Sequence, residues 1–263
     1  MNCGGNMAEF RQWHEKKNGT MEFFNESMVY FSQCGANKKL TLSELLRLTS
    51  DTAVEDWAAR GMSREVLASR GVAILVSRCS FRFHRIPREN ERICVRTWEE
   101  KSEPLQFVRA YEIDSKEGEN LVSGISTWLL VDLNARRILP VKKFNEMNLR
   151  EPTDFQSEHN CLPAGKIVPA EGSVLWSERE IRHSDIDANA HTTNSRYGAF
   201  ISDALPEDEF SRDFCDFRLN YAKEAMLGET LRVFGKSDAA SKKISLSGKT
   251  DAGVSFESEL FWQ

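Results

Sequence analysis

The chain has 263 residues, of which 40% are hydrophobic and 29% are charged. This composition predicts folded domains, because a disordered chain has too few apolar residues to bury, and the length suits two domains. The net charge of −5 excludes the overall basic footprint of a nucleic-acid-binding protein. No apolar run approaches the roughly 20 residues that a membrane-spanning helix needs.

Residues 1–20 lack the apolar core of a secretory signal, so we expect a flexible leader and a cytoplasmic protein. The six cysteines form no CxxC pair and show no metal-ligand spacing with the histidines. We therefore expect free structural thiols, no disulfides and no bound metal. The cysteines are Cys3, Cys34, Cys79, Cys94, Cys161 and Cys215.

The first half of the chain predicts a strand over 27–33, then a helix, then four strands. The helix begins at Thr41, with Glu44 placed for a capping box, and ends at Gly61. Its apolar side chains recur at helical spacing at Leu42, Leu45, Leu46, Ala53 and Trp57. Alternating and β-branched residues predict the strands within 71–86, 91–98, 105–113 and 120–132.

A segment with little periodicity, residues 136–172, contains four of the seven prolines and predicts a linker that crosses the surface. The second half then repeats the order of the first. A strand within 174–185 and a shorter helix within 194–206 precede the last four strands. Those strands lie within 215–227, 229–238, 242–250 and 253–263.

The repeated order predicts a duplicated α+β domain, in which each copy holds one long helix against a mainly antiparallel sheet. That is the outline of a hotdog domain, in which the sheet wraps the helix. We expect tandem hotdog domains at 21–135 and 173–263 that pack as a pseudo-dimer, with their sheets continuous across the join.

The stretch RHSDIDANAHTTNSRYGAF, residues 182–200, concentrates polar side chains directly ahead of an apolar-periodic run. Taken alone, such a stretch is more often only the cap of the next helix, with a residue such as Asn194 as the cap. The other interpretation is chemistry, because Asp187, Asn189 and His191 supply a carboxylate, an amide and an imidazole within five residues.

The segment SDIDANAHTTNSRY resembles the second-domain signature of the acyl-acyl-carrier-protein thioesterases. That signature is Asp-x-Asn-x-His, followed by polar residues and a Tyr on the helix. Here Asp187, Asn189, His191 and Tyr197 fill these positions. The pair Thr192-Thr193 departs from the Val-Asn that is common in the family.

Two further segments carry the same resemblance. In LNYAKEAMLGE, Glu224 stands where the family has Glu, and Ala225 stands where many members have Cys. A cysteine nucleophile is therefore not available at that position. In the first half, GISTWLLVDLNARRILPV resembles the family's Ser-x-Trp strand, Asp turn and Arg-Arg. The three matches occur in the family's order and cover most of the chain from about Met21 onward.

The resemblance implies hydrolysis of the thioester of a fatty acyl-acyl carrier protein, which releases free fatty acid and terminates chain elongation. His191 would exchange protons, and Asp187 or Glu224 would orient it or position water. Direct attack by the Asp187 carboxylate is the other route. Asn189 would donate to the thioester oxygen or hold water, and the helix start after the loop would stabilise the oxyanion. No cofactor is expected.

The resemblance also places an acyl pocket in the first domain, with Trp57 and Trp128 as candidate lining residues, although each is more ordinarily a core residue. Asn194 and Tyr197 are candidate substrate-binding residues beside the polar loop. Because the acyl carrier protein is acidic, a basic cluster after the first domain is the candidate carrier-docking surface. The cluster consists of Arg136, Arg137, Lys142 and Lys143.

Two other functions fit the same fold, an acyl-CoA thioesterase and a non-catalytic acyl-binding protein. The Arg-Arg match and the tandem organisation favour the carrier-protein substrate. The complete polar set argues against a mere binder, which has no need of it. Two hotdog domains already pair within one chain, so we expect a monomer or a homodimer.

Overall fold

The computed structural model describes residues 10–17 and 19–263. In these ranges the chain forms twelve strands, namely β1 (Gln12–Lys17), β2 (Thr20–Met28), β3 (Val72–Phe83), β4 (Arg92–Glu100), β5 (Phe107–Ser115), β6 (Asn120–Asp132), β7 (Arg137–Leu139), β8 (Val174–Glu180), β9 (Phe214–Tyr221), β10 (Thr230–Asp238), β11 (Lys243–Thr250) and β12 (Gly253–Trp262). Its α-helices in the same ranges are α1 (Leu42–Ala59), α2 (Arg64–Ser69), α3 (Val141–Asn145), α4 (Arg196–Ala204) and α5 (Glu207–Phe210).

One antiparallel sheet runs through both halves of the molecule. Its strand order is β1-β2-β4-β5-β6-β3-β9-β12-β11-β10-β8, and β7 pairs with β6 off this path. The halves join where Arg78–Arg82 of β3 pair with Asp216–Asn220 of β9. The predicted order of one strand, a helix and four strands is present in each half. The prediction of two tandem hotdog domains with a continuous sheet is confirmed.

Helix α1 begins as predicted, because the Thr41 hydroxyl accepts a hydrogen bond from the Glu44 N–H at 3.3 Å. The reciprocal half of the capping box is absent from this pair. The Glu44 carboxylate instead accepts from Gln33 Nε2 at 3.1 Å and from Arg47 Nε at 2.8 Å. The helix stops at Gly61, whose φ of +81° lies in the left-handed region that a residue without a side chain adopts freely.

The two long helices meet across the join at Gly198 of α4. A Cβ atom at this position would lie 2.6 Å from the Ser43 N and 2.7 Å from the Leu42 carbonyl carbon. These are backbone atoms at the start of α1, so they cannot move aside as a flexible side chain could. The sequence therefore needs glycine inside this helix, although glycine is a weak helix former.

Two sequence predictions in the first half are wrong. The segment predicted as a flexible leader contains β1, which pairs with β2 from Gln12–Asn25 to Lys17–Thr20; residues 1–9 of that leader lie outside the described residues. The strand predicted at 27–33 is shifted. Strand β2 ends at Met28, and Phe31–Gln33 form a 3-10 turn. The exposed polar side chains of β1 gave no apolar period to recognise.

The predicted linker, 136–172, begins with regular structure. Its first residues form β7 and α3, and Val141 and Phe144 of α3 are buried in the core of the first half. The rest crosses the sheet face opposite the helices, as expected of a surface connection. The Lys101 N–H donates to the Phe155 carbonyl at 2.7 Å, and Arg218 Nη2 donates to the Gly165 carbonyl at 3.2 Å.

Replacing Gly198 tests the close approach of the helices. Gly198→Ala should destabilise the protein by about 1–3 kcal/mol, the scale of overpacking a fixed core, although Ala is the better helix former. We expect a fall in the melting temperature of about 2–10 °C. Gly165→Ala is the matched control, because its Cβ would meet only Arg218 Nη2 at 3.5 Å. Equal melting temperatures for Gly198→Ala and the wild type would contradict the packing described here.

Candidate active site

The polar loop between β8 and α4 folds into a tight turn on its own backbone. The Asp187 N–H donates to the His191 carbonyl at 2.9 Å, and the Ala190 N–H donates to the Asp187 carbonyl at 3.0 Å. Asp187 Oδ1 also accepts from the Asn189 N–H at 2.8 Å. Ala190 has φ +62°, a left-handed conformation that is uncommon for a residue with a side chain. The turn thus places His191 at a fixed end of the loop.

His191 meets Glu224, which follows β9 in the same half of the chain. The His191 Nδ1 lies 3.2 Å from Glu224 Oε1, and the two side chains are 39% and 51% exposed. Residues 33 positions apart are thus brought into an accessible imidazole–carboxylate pair. A carboxylate on one ring nitrogen orients the ring and stabilises its protonated form, which leaves the second nitrogen for a reacting proton.

The segment that carries Glu224 is held by the polar loop and by α4. The Thr192 hydroxyl donates to the Ala225 carbonyl at 2.6 Å, and the Ala225 N–H donates to the Tyr197 phenol at 3.3 Å. Tyr197 OH also lies 3.2 Å from Ser255 Oγ. Both backbone groups of Ala225 are therefore satisfied by side chains next to His191. This fixes Glu224 relative to the imidazole.

Asp185 anchors the loop from below. Its carboxylate is fully buried and lies 2.9 Å from Arg179 Nη2 and 2.8 Å from Arg196 Nη2. It also accepts from the Arg182 N–H at 2.9 Å, and its carbonyl accepts from the Thr193 N–H at 2.8 Å. Burial raises the pKa of this carboxyl, but the hydrogen bonds and the two guanidinium groups hold the pKa below its ordinary value.

Two backbone N–H groups at the start of α4 are already hydrogen-bonded, contrary to expectation. Four residues separate His191 from the first helical residue, Arg196. The Arg196 N–H donates to the Thr193 carbonyl at 2.9 Å, and the Gly198 N–H donates to the Ser195 carbonyl at 3.0 Å. The expectation that these helix-start amides are unpaired and ready for an oxyanion is therefore wrong for these two.

The remaining predicted polar residues lie in different environments. Asp187 is half-buried and uses one carboxylate oxygen in the loop, whereas Asn189 is exposed. Asn194 is also exposed, and its carbonyl accepts from the Tyr221 hydroxyl at 3.2 Å. Tyr197 is only 3% exposed, and its hydroxyl faces the interior. Substrate contact by these residues stays a prediction.

Trp57 and Trp128 lie together in the core of the first half, between α1 and the sheet. Their rings pack edge to face with centroids 4.9 Å apart, and the two residues are 4% and 3% exposed. Trp57 Nε1 donates to Glu99 Oε1 at 2.8 Å, and Trp128 Nε1 donates to Ser126 Oγ at 2.8 Å. Their indole N–H groups are therefore already satisfied, so any contact with an acyl chain would use the apolar parts of the rings.

The four predicted carrier-docking cations all lie on the surface. Arg136 occupies a turn with φ +49°, and Arg137 begins β7. Lys142 and Lys143 are exposed on α3, where Lys143 Nζ lies 3.0 Å from Glu146 Oε2. Asp132 Oδ1 accepts from the N–H groups of residues 134 and 135.

Thiol and metal chemistry have little support around the loop. Ala225 is fully buried, and Cys215 lies on β9, where burial raises the pKa of its thiol. Within residues 10–17 and 19–263, no group of three or more His, Cys, Asp and Glu side chains is arranged to hold a metal ion. The described cysteines are free thiols.

Two sequence models of one known family match consecutive parts of the chain. The sequence model of the acyl-ACP thioesterase N-terminal domain matches residues 21–146, and that of the C-terminal domain matches residues 171–257. The chain belongs to the acyl-ACP thioesterase family. The candidate residues Asp187, Asn189, His191 and Glu224 all lie in the family's C-terminal domain.

Curated relatives share low identity with this chain. A palmitoyl-acyl carrier protein thioesterase of Cuphea hookeriana is 22% identical over 205 residues, which is 73% of this chain and 49% of the relative. An acyl-[acyl-carrier-protein] hydrolase of Cuphea viscosissima is 20% identical over 205 residues, with the same coverage. The chain therefore spans about half the length of the curated relatives it matches.

Solved structures share the fold along nearly the whole chain. An acyl-ACP thioesterase from Bacteroides thetaiotaomicron superposes with a TM-score of 0.81 at 19% identity, covering 92% of this chain and 98% of its own. The 12:0-ACP thioesterase from Umbellularia californica gives 0.75 at 16% identity, covering 92% and 97%. The likeness supports the tandem hotdog architecture. Among the helices that the structure describes, none is long and apolar enough to cross a membrane.

The role of Asp185 is not apparent from the sequence pattern alone. The signal was present in part, because buried carboxylates need cationic partners and Arg179, Arg182 and Arg196 all lie nearby in the sequence. Only the fold shows that Arg179 on β8 and Arg196 on α4 converge on one carboxylate.

Asp185→Asn should destabilise the loop by about 1–3 kcal/mol, the scale of losing charge-assisted hydrogen bonds to a buried carboxylate. Because the folded pKa is lowered, the stabilisation by this carboxylate is complete above about pH 3.9 and is lost as the pH falls through the folded pKa. The stability gap between wild type and variant should therefore narrow in acid.

Chemical denaturation at pH 7 and pH 3 measures this gap. The matched control is Asp203→Asn, because Asp203 also faces Arg179, at 3.6 Å, but is 65% exposed. It should cost less than about 1 kcal/mol. A gap for Asp185→Asn that stays constant down to pH 3 would contradict a lowered pKa.

Proposed function

We propose that this protein hydrolyses the thioester of a fatty acyl-acyl carrier protein, releasing free fatty acid and terminating chain elongation. The observation that carries the proposal is the accessible His191–Glu224 pair, at 3.2 Å, beside Asp187 on the family's C-terminal domain. The curated Cuphea relatives are named as thioesterases or hydrolases of acyl carrier protein substrates.

In the proposed mechanism His191 acts first as a base and then as an acid. Its Nε2 accepts a proton from water while the water oxygen forms a bond to the thioester carbon. The tetrahedral oxyanion then collapses, the C–S bond breaks, and the imidazolium returns the proton to the carrier's thiolate. Glu224, on Nδ1, stabilises the imidazolium between the two steps. The products are a fatty acid and a carrier thiol.

The alternative route is attack by the Asp187 carboxylate, which gives an acyl-enzyme anhydride that water then cleaves. The loop favours the water route, because Asp187 Oδ1 is engaged by the backbone N–H groups of Asn189, at 2.8 Å, and His191, at 3.4 Å. A single turnover in H₂¹⁸O tests for the anhydride. Label in Asp187 would establish that route, because only water that attacks the aspartyl carbonyl of an anhydride puts ¹⁸O into the enzyme, whereas direct attack on the thioester puts ¹⁸O in the fatty acid alone.

The other predicted residues take supporting parts in this proposal. Asn189 and Asn194, both exposed beside the pair, would contact the thioester region, and Tyr197 would act mainly by holding Ala225. Trp57 and Trp128 would border the acyl chain between α1 and the sheet. A reducing compartment suits the free thiols, so we place the reaction in the cytoplasm. The protein would act there as a monomer or a homodimer.

His191→Ala should lower kcat on acyl-carrier substrate by about a hundredfold or more, because general acid–base catalysis contributes on that scale. Release of carrier thiol measures the rate, and circular dichroism checks the fold. The matched control is His183→Ala, an exposed histidine in the same segment that should keep full activity. An unchanged rate for the His191 variant would refute the proposed role.

Carrier docking makes a separate prediction about salt. Reversing Lys142 and Lys143 to Glu should raise KM for acyl-carrier substrate severalfold at low salt and much less at high salt, because exposed charges are screened. Hydrolysis of a small acyl thioester should stay nearly unchanged, since the cations lie in the other half of the molecule from His191.

The control for docking reverses Lys16 and Lys17, an adjacent exposed pair on the edge strand β1. Steady-state kinetics with both substrates at two salt concentrations give the comparison. Equal losses for the two double variants would mean that net charge, and not this cluster, attracts the carrier. A loss on the small thioester as well would point to a folding defect.

A further inference from the structure

The first half contains a second copy of the polar loop that lies between β8 and α4 in the second half. Residues 32–44 follow the same path as residues 184–196, with five identical residues in register. The Gly35 N–H donates to the Lys39 carbonyl at 3.0 Å, as the Asp187 N–H does to the His191 carbonyl at 2.9 Å. Lys38, with φ +59°, takes the place of Ala190, with φ +62°. The backbone of the site is therefore built twice.

The second copy lacks the carboxylate and imidazole side chains of the candidate site. Gly35 replaces Asp187 and Lys39 replaces His191, while Asn37 corresponds to Asn189. The residue in the position of Glu224 is Ile86. The register follows from matching backbone bonds after the two strands, since Val29 N–H donates to Glu91 carbonyl and Ile181 N–H donates to Glu229 carbonyl, both at 2.9 Å. Without the imidazole and the carboxylate, this copy cannot run the proposed hydrolysis.

A groove of about 640 Å³ opens at this second copy, between the loop of the first half and the helices of the second. This volume falls in the range of small-molecule sites. Apolar side chains from both halves form its walls, and Asn37 and Lys39 are polar residues among its lining. The apolar lining includes Leu40, Leu45, Phe83, Ile86, Leu205 and Phe214.

Among the cations that line the groove, Lys39 is the one most easily freed from its ion-pair partner. Its Nζ lies 3.2 Å from Asp213 Oδ1, and that carboxylate is 90% exposed. Such surface pairs are worth little, so a ligand anion can replace Asp213. The two other lining cations are engaged elsewhere, Arg196 by Asp185 and Arg212 by Glu209. The acids that line the groove are Glu44, Asp203, Glu207 and Asp213.

We propose that this groove binds a fatty carboxylate without reacting with it. The carboxylate would pair with the Lys39 ammonium and accept from the Asn37 amide, and the chain would lie on the apolar walls. One cation in a weak surface pair, a polar amide and a largely apolar lining match an amphipathic anion better than a sugar or a nucleotide. Binding here is separate from hydrolysis and does not depend on the proposed activity.

Photolabelling of the full chain tests the site directly. The probe is dodecanoic acid with a diazirine near the end of its chain, and the labelled peptides are identified by mass spectrometry. We expect label within residues 199–214 or 40–45, which unlabelled dodecanoate should remove. Lys39→Glu should reduce this label at least fivefold, whereas label beside His191, if present, should not change.

The matched control is Lys38→Glu, because Lys38 is the adjacent lysine, is 79% exposed, and is absent from the groove lining. It should label like the wild type. Lys39→Met serves as a second variant in case charge reversal lowers the melting temperature, and it should also lose label. Absence of label in the groove would overturn the proposal. So would equal labelling of Lys39→Glu and wild type, or equally effective competition by free pantetheine.

Discussion

The contact between the starts of α1 and α4 governs the rest of this structure. At Gly198 the two helices approach until backbone meets backbone, and only a residue without a side chain fits. Each helix carries a polar loop immediately before it, so the contact sets both loops beside the opposite half of the molecule. The positions of the polar loop before α4 and of its copy before α1 therefore both depend on one packing constraint.

Charge is distributed unequally between the two loops. Beneath the polar loop before α4 lies Asp185, a buried carboxylate with two guanidinium partners, and beneath its copy before α1 lies Gln33, a neutral amide bonded to Glu44. A buried carboxylate with fixed partners holds the loop above it in one geometry. This allows His191 and Glu224 to remain accessible to substrate while their backbones stay fixed.

The sequence predicted the elements because their patterns are local. The spacing of apolar residues alone indicates the buried faces of helix α1 and of the alternating strands β4 and β12. The signature around His191 predicts the candidate site residues. The predictions that failed concern elements that are held by non-local contacts or that lack an apolar pattern. Strand β1 is held by pairing with β2 and has little apolar pattern of its own, so it was predicted as a flexible leader.

The second loop also escaped prediction, for a different reason. Five identities between residues 32–44 and 184–196 were visible, but identity alone does not show that Lys39 stands where His191 stands. That correspondence required the hydrogen bonds of both turns. The correspondence of Ile86 in the first half with Glu224 in the second depends on strand register, which cannot be read from a single sequence.

The ladder between β3 and β9 has a consequence for how the chain folds. Its partners, from Arg78–Asn220 to Arg82–Asp216, are roughly 140 residues apart, so their pairing requires a large loop to close first. Until then each half presents an unpaired strand edge, the kind of surface on which chains associate wrongly. We therefore expect the docking of two nearly complete halves to be the last step of folding. When the protein is overproduced, slow synthesis should raise the yield of correctly folded chains, because the β3–β9 ladder then has time to form within one molecule.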